Sequence, residues 1–255
     1  MSPLLQLEGV GKVFGGLTAL ADVTLDVRSG EIRGLIGPNG SGKSTMFHVI
    51  SGVHRADGGR VVFDGDELVG RRPDQVARLG LARTFQDIQL FYDMSVLDNV
   101  MIGCHRLSRA EVLGAMLRPA WVRAEEQRIR ERARDCLAFM GLDAYEAELA
   151  RNIPYGHQRL LEIARALASE PKLMLLDEPA AGMNPAETRA LMGQIGRLIE
   201  RGVTVFLVEH NMKMVMDICQ RITVLNYGRV IAEGAPADVQ AHPQVIEAYL
   251  GQGAR

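Results

Sequence analysis

Short apolar runs divided by turn residues dominate the beginning of the chain. Residues 4–10, 20–27, 32–36 and 61–63 are β-prone, and Ser29-Gly30, Asp57-Gly58-Gly59 and Asp64-Gly65 punctuate them, so the pattern predicts strands. Arg33 and Gly34 interrupt the third run, and residues 46–50 read as the first turns of a helix. The period then changes. Across residues 108–149, Val112, Met116, Ile129, Ala133, Leu137 and Met140 recur at spacings that can share one helix face. A second α/β section comes next. Runs 173–176 and 203–208 are continuously apolar and each comes after a helical segment, which predicts parallel strands buried on both faces. Residues 222–225 and 229–232, joined through Tyr227-Gly228, predict a hairpin. The class is α/β, and no internal repeat divides it.

Composition narrows the picture. At 255 residues, 47% hydrophobic and 24% charged, the chain can bury a full core. A formal net charge of −2 exerts no global pull on nucleic acid. Cys104, Cys136 and Cys219 are odd in number and far apart, which suits a reducing compartment and neither a disulfide framework nor a zinc site. The start, Met1-Ser2-Pro3-Leu4-Leu5, lacks the basic, apolar pattern of a signal peptide. No window approaches the roughly 18 apolar residues of a membrane span, so any membrane role is borrowed from a partner. Arg123, Arg128, Arg130, Arg132 and Arg134 crowd the helical middle, interleaved with Glu125, Glu126, Glu131 and Asp135. A nucleic-acid patch is one reading; the mixed signs favour a solvated helix face with i,i+4 pairs.

The densest chemistry is Gly37-Pro38-Asn39-Gly40-Ser41-Gly42-Lys43-Ser44-Thr45, which fits G-x-x-x-x-G-K-[ST] between a predicted strand and a predicted helix. Its glycines let the backbone curl so that successive N–H groups form an anion nest, and the following helix aims its positive end at the same place. Lys43 adds a full charge for outer phosphates, and the Ser44 hydroxyl is a hard oxygen ligand for Mg2+. Only four of the 29 basic residues are lysines, which sharpens the placement of this one.

Two later strands carry polar residues to the matching edge. Run 173–176 ends in Asp177-Glu178: Asp177 suits Mg2+, and Glu178 suits positioning or deprotonating an attacking water. Run 203–208 ends in Glu209-His210 and so delivers an imidazole there.

Ile153-Pro154-Tyr155-Gly156-His157-Gln158-Arg159, followed by Leu161-Glu162-Ile163-Ala164-Arg165-Ala166-Leu167, resembles the signature region of ATP-binding-cassette ATPases. The resemblance spans nearly the whole chain and implies a P-loop NTPase fold of the ABC type, with a mixed sheet and flanking helices, an antiparallel β subdomain and a helical subdomain. It implies ATP and Mg2+ as ligands, with Gln86 of Thr84-Phe85-Gln86 reaching the metal and attacking water. It makes His210 the switch histidine and Ala181-Gly182-Met183-Asn184-Pro185 the D-loop. Phe14 takes the place of an adenine-stacking aromatic; a core phenylalanine is the competing reading. Tyr155, Gly156 and His157 would close over ATP held by a second ATPase subunit, identical or paralogous. Pro154, Tyr155 and His157 depart from the usual L-S-G-G-Q, and Asn184 stands where aspartate is common.

Finer features are similar to the ATP-binding subunits of branched-chain amino acid importers, the LivG type: Phe14-Gly15-Gly16-Leu17, Ala82-Arg83-Thr84-Phe85-Gln86, Glu178-Pro179-Ala180-Ala181-Gly182-Met183-Asn184-Pro185, Glu209-His210-Asn211-Met212-Lys213, and the tail His242-Pro243-Gln244 to Tyr249-Leu250-Gly251. The implied setting is peripheral, at the cytoplasmic face of the inner membrane, with transmembrane permease subunits as partners, a periplasmic binding protein engaged indirectly, and no nucleic acid. A lipopolysaccharide-export ATPase and a soluble iron–sulfur-assembly ATPase are the alternatives. The expected organisation is one domain: residues 1–86 and 160–235 as nucleotide-binding core, 87–159 as helical subdomain, 236–255 as tail. The apolar and aromatic stretch Ile88, Leu90, Phe91, Tyr92, Met94, Val96 and Leu97 reads either as a docking groove for a permease helix or as core.

Overall fold

The fold was analysed in a computed structural model that describes residues 3–104 and 120–250. Two compact units emerge. The first gathers the described residues up to Arg83 and from Lys172 onward, and the second spans Thr84–Pro171. The second unit therefore includes the signature helix through its end.

In the first unit, β1 (Leu5–Phe14) and β2 (Leu17–Val27) form a hairpin around Gly15-Gly16; β1 also pairs with β4 (Gly58–Phe63), which pairs with β5 (Asp66–Glu67). These make a four-stranded antiparallel sheet, ordered β2-β1-β4-β5. The strands run longer than the apolar runs alone predict, because the hairpin zips up to its glycine turn. A six-stranded sheet combines β3 (Ile32–Ile36), β6 (Leu81–Arg83), β7 (Leu173–Asp177), β8 (Thr204–Val208), β9 (Arg221–Asn226) and β10 (Arg229–Gly234) in the order β10-β9-β3-β8-β7-β6. All neighbours are parallel except the β9–β10 hairpin. Helix α1 (Lys43–Ile50) follows β3, and α2 (Pro73–Arg78) precedes β6.

The continuous apolar runs are buried on both faces. Leu35, Leu173, Leu175, Phe206 and Val208 join the core shared with β1, β2, β4 and α1, whereas Met174, Leu176, Val205 and Leu207 face the other way and are equally buried. Phe47 of α1 meets Phe206 with ring centroids 5.2 Å apart. Arg33, which interrupts β3 in sequence, is fully buried because Glu233 pairs with it at 2.6 Å and Thr223 Oγ1 accepts from it at 2.6 Å. All three cysteines are buried and none is in a disulfide among the described residues, and burial pushes the Cys219 thiol up to about 12.

The second unit is helical: α3 (Val96–Gly103), α4 (Ala120–Met140) and α5 (Tyr155–Leu167), which pack on one another. Ala133, Leu137 and Met140 are buried and Ile129 is half-buried, on the face that their spacing predicts; Val112 and Met116 lie outside the described residues. The helical pattern stops earlier than expected. Gly141 takes a φ of +73° after Met140, and a 3-10 turn at Asp143–Tyr145 replaces further helix. On α4, Arg132 pairs with Glu170 at 2.7 Å, Arg134 with Glu146 at 2.9 Å and Arg130 with Glu126 at 3.8 Å, all with solvent-exposed side chains, and the last of these is the i,i+4 kind that the sequence predicts.

The remaining helices, α6 (Pro185–Leu198), α7 (Met212–Ile218), α8 (Pro236–Gln240) and α9 (Pro243–Leu250), belong to the first unit. No helix among the described residues is long and apolar enough to cross a membrane.

In the second unit α3 passes so close to α5 that a side chain at Gly103 has no room: an added Cβ would lie 2.0 Å from the Arg165 carbonyl oxygen. Gly103→Ala is expected to cost about 1–3 kcal/mol through overpacking, read as a lower urea midpoint with an unchanged slope.

Candidate functional site

Strand register builds the site. β3 lies beside β8 with Leu35 level with Val208, and β8 lies beside β7 with Val208 level with Asp177. Three parallel strands thus finish on one line, and the loops that leave them emerge at one edge: Gly37 after β3, Glu178 after β7 and Glu209-His210 after β8.

At the end of β3, Gly37 and Pro38 are buried, whereas Asn39 and Gly40 are exposed at the tip of the loop. Gly37 is required by its neighbour, since a Cβ there would sit 2.1 Å from the Leu225 carbonyl oxygen on β9. The Ser41 hydroxyl is buried with no hydrogen-bond partner among the described residues, an orphan donor in a loop whose backbone suits anions. Gly42 caps α1 with a φ of +105°, and no side chain caps that helix, so its first N–H groups stay available to a ligand. Lys43 is buried, and its ammonium donates to the Gly37 and Pro38 carbonyl oxygens at 2.7 and 2.9 Å. Burial holds its pKa below the ordinary lysine range, while Glu178 and Asp177 pull it back up. Ser44 is exposed and Thr45 half-buried in the first turn.

Glu178 takes a φ of +47°, a left-handed conformation uncommon for a residue with a side chain. Its N–H donates to the Val208 carbonyl oxygen at 2.9 Å, which holds that backbone in place. Its Oε1 lies 2.8 Å from His210 Nε2, so the acid and the imidazole predicted from separate strands share a hydrogen bond. Asp177, one residue earlier, forms a buried ion pair with Arg83 at 2.9 Å.

Phe14 is 40% exposed at the end of β1 and so is not a core residue. His54 packs edge-on against its ring with centroids 5.1 Å apart, and the Lys12 ammonium lies 5.1 Å from the ring centre.

The other predicted residues belong to the second unit. Gln86 is exposed, and its carbonyl oxygen accepts from Arg159 Nη2 at 2.7 Å. Arg159 is fully buried on α5, donates also to the Phe85 carbonyl oxygen and pairs with Glu162 at 2.9 Å. Pro154 caps α5 in an extended conformation (φ −54°, ψ 151°), just outside the helix. Tyr155 is exposed, Gly156 is buried, and His157 is half-buried against Tyr145 with ring centroids 4.8 Å apart. The stretch 88–97 divides. Leu90, Val96 and Leu97 enter the core, whereas Phe91 and Tyr92 stay 49% and 43% exposed.

Sequence reasoning missed three structural supports. Arg83 holds Asp177, and Arg159 holds the Gln86 backbone. Glu209 is buried, and its carboxylate accepts from the N–H groups of Ala180 at 2.8 Å and His210 at 3.0 Å, so it joins the loop after β7 to the loop after β8. Glu209 was within reach of the same logic that found Asp177, a carboxylate closing a buried strand. Arg83 and Arg159 lie inside motifs legible in the sequence, but their contacts to Asp177, Phe85 and Gln86 span many residues and leave no local signal.

A family model described as ABC transporter matches residues 20–181, and one described as Branched-chain amino acid ATP-binding cassette transporter matches residues 229–255. The chain is 41% identical over 252 residues, 98% of each chain, to the high-affinity branched-chain amino acid transport ATP-binding protein LivG of Salmonella typhimurium. Among solved structures, an ATP-binding cassette of an ABC transporter in its ADP conformation superposes with a TM-score of 0.86 at 33% identity, covering 98% of this chain and 100% of that one. A dimeric cassette in a post-hydrolysis state, bound to ADP and phosphate, superposes with a TM-score of 0.76 at 26% identity, covering 91% and 98%.

Asn184 shows that one departure from the family pattern is structurally conservative. Its side chain accepts from the N–H groups of Ala186 and Glu187 at 2.9 and 3.0 Å, and Glu187 reciprocates, which completes a capping box at the start of α6. Asn184→Asp should keep the thermal midpoint, whereas Asn184→Ala should lose about 1 kcal/mol, measurable by denaturant unfolding.

Proposed function

Since this chain belongs to the ABC transporter family of ATP-binding cassettes, we propose that it is the ATP-hydrolysing subunit that powers import of branched-chain amino acids. The observation that carries the chemistry is the convergence of the phosphate loop, Asp177, Glu178 and His210 at one edge of a parallel sheet. Similarity over 98% of the chain to a branched-chain amino acid transport ATP-binding protein, together with the family match at residues 229–255, supports the cargo.

In this reading the N–H groups of residues 39–45 and the Lys43 ammonium hold the β- and γ-phosphates of ATP, and Phe14 stacks on the adenine with its exposed face. The donor set suits Mg2+: Ser44 offers a hydroxyl and Asp177 a carboxylate, all hard oxygens, with phosphates completing the shell. Bound Mg2+ would neutralise charge on the phosphates in the transition state. Glu178 orients the attacking water and accepts its proton, and His210 holds the carboxylate in position through their shared hydrogen bond. Gln86 would offer its side-chain amide to the metal and the attacking water. Tyr155, Gly156 and His157 close over ATP held by a second ATPase subunit, and a relative that is dimeric with ADP and phosphate bound supports the pairing of two subunits.

The partners are transmembrane permease subunits, and the exposed rings of Phe91 and Tyr92, close in sequence to Gln86, are the candidate contact. The protein then works peripherally at the cytoplasmic face of the inner membrane.

In a strain lacking this gene and any redundant system, uptake of labelled leucine, isoleucine and valine should be lost. The wild-type gene should restore it and a Glu178→Gln allele should not, although the purified variant should still bind ATP. Normal uptake in the deletion strain would refute the cargo, and near-normal ATPase activity of Glu178→Gln would remove Glu178 from its role. The pH dependence has a definite sign. Because the folded pKa of Lys43 is lowered, the loop loses its charge as pH rises through a range below that of an ordinary lysine. ATP affinity should therefore fall as pH rises, beginning before pH ~10.5 is reached and approaching tenfold per pH unit, in equilibrium binding at constant ionic strength.

A further inference from the structure

Arg83 ends β6, the edge strand beside β7, and its guanidinium is fixed at three points. Nη2 donates to Asp177 Oδ2 at 2.9 Å, Nη1 donates to Ser51 Oγ at 3.1 Å, and Cζ lies 5.9 Å from the centre of the Phe47 ring. The arginine and aspartate side chains are only 6% and 7% exposed. Ser51 and Phe47 belong to α1 and its cap, the helix that begins at Lys43, so this one side chain connects the phosphate-loop helix to the end of β7.

A buried ion pair is weak evidence for stability, because desolvation offsets most of the attraction. Its place in the charge pattern is more telling. Burial lowers the Arg83 pKa and Asp177 raises it again, and the Lys43 ammonium likewise feels Glu178 and Asp177. Two carboxylates thus face two cations. A divalent cation arriving alone meets a site whose charge is already balanced, whereas a triphosphate brings the negative charge that such a cation needs.

We propose that Arg83 is a positioning residue that holds Asp177 in a charge-balanced pair, so that a divalent cation binds there only together with the nucleotide. With Oδ2 engaged by the guanidinium, the carboxylate plane is set before any ligand arrives. The inference rests on reading Asp177 as part of the Mg·ATP site.

The test uses Mn2+ as the probe, followed by electron paramagnetic resonance on the full chain, with and without a non-hydrolysable ATP analogue. In wild type the analogue should tighten Mn2+ binding by on the order of 100-fold. Arg83→Gln should tighten nucleotide-free Mn2+ binding roughly tenfold and weaken that coupling by a similar factor, while Arg83→Lys, which keeps the charge, should stay within about threefold of wild type. Adding Asp177→Asn to Arg83→Gln should abolish the gain. Unchanged nucleotide-free Mn2+ affinity in a folded Arg83→Gln protein would overturn the inference, as would a gain that survives Asp177→Asn. Should Arg83→Gln not fold, wild type alone decides: Mn2+ bound as tightly without the analogue as with it refutes the proposal. Separate measurement of analogue binding distinguishes the two levels. An analogue that binds with uncoupled Mn2+ defeats this inference alone, whereas one that does not bind at all defeats the nucleotide-site reading and this inference with it.

Discussion

The parallel register of β3, β8 and β7 is the constraint on which everything else hangs. Leu35, Val208 and Asp177 share one level across the sheet, so loops far apart in sequence must leave the protein side by side. Burial enforces that register. Each strand is buried on both faces, and a one-residue slip would turn Phe206 and its neighbours onto the wrong side of a packed core. The polar edge is therefore aligned by residues that have no chemistry of their own.

Much of this was legible from sequence, because the relevant signals are local. An unbroken apolar run followed by acids says both that a strand is buried and where its carboxylates emerge, and the glycine-rich loop announces its own backbone shape. The hairpin at Tyr227-Gly228, the buried strands and the grouping of Glu178 with His210 were readable in this way. Phe14 was undecided in sequence, since an aromatic at the end of a strand can point either way; its exposure removes it from the core. The early stop of α4 was less visible because the residues after Met140 keep a helix-compatible composition, and only the left-handed turn at Gly141 ends the run.

The features that stayed hidden depend on contacts between distant residues. Arg159 looked like one member of a signature motif, yet it is buried and grips the carbonyl oxygens of Phe85 and Gln86. Burial raises the pKa of its partner Glu162, and Arg159 pulls it back down. The helix that begins at Tyr155 and the strand exit that carries Gln86 are therefore parts of one rigid piece inside the second unit. Glu209 does the same in the first unit, where one carboxylate serves the loops after β7 and β8. In both cases the residue of interest is exposed, and the residue that steadies it is buried next door.

The backbone of Glu178 has a further consequence. A side chain held at a φ of +47° is aimed by its main chain before any ligand arrives, so its direction and its length are separate variables. Glycine at this position would relax the turn by on the order of 1 kcal/mol, and asparagine is the next residue to tolerate it. Random variation selected for thermal robustness alone would thus drift toward removing this carboxylate. Any stability-guided redesign of the protein has to exclude position 178 from its search, since the gain and the loss fall on the same residue.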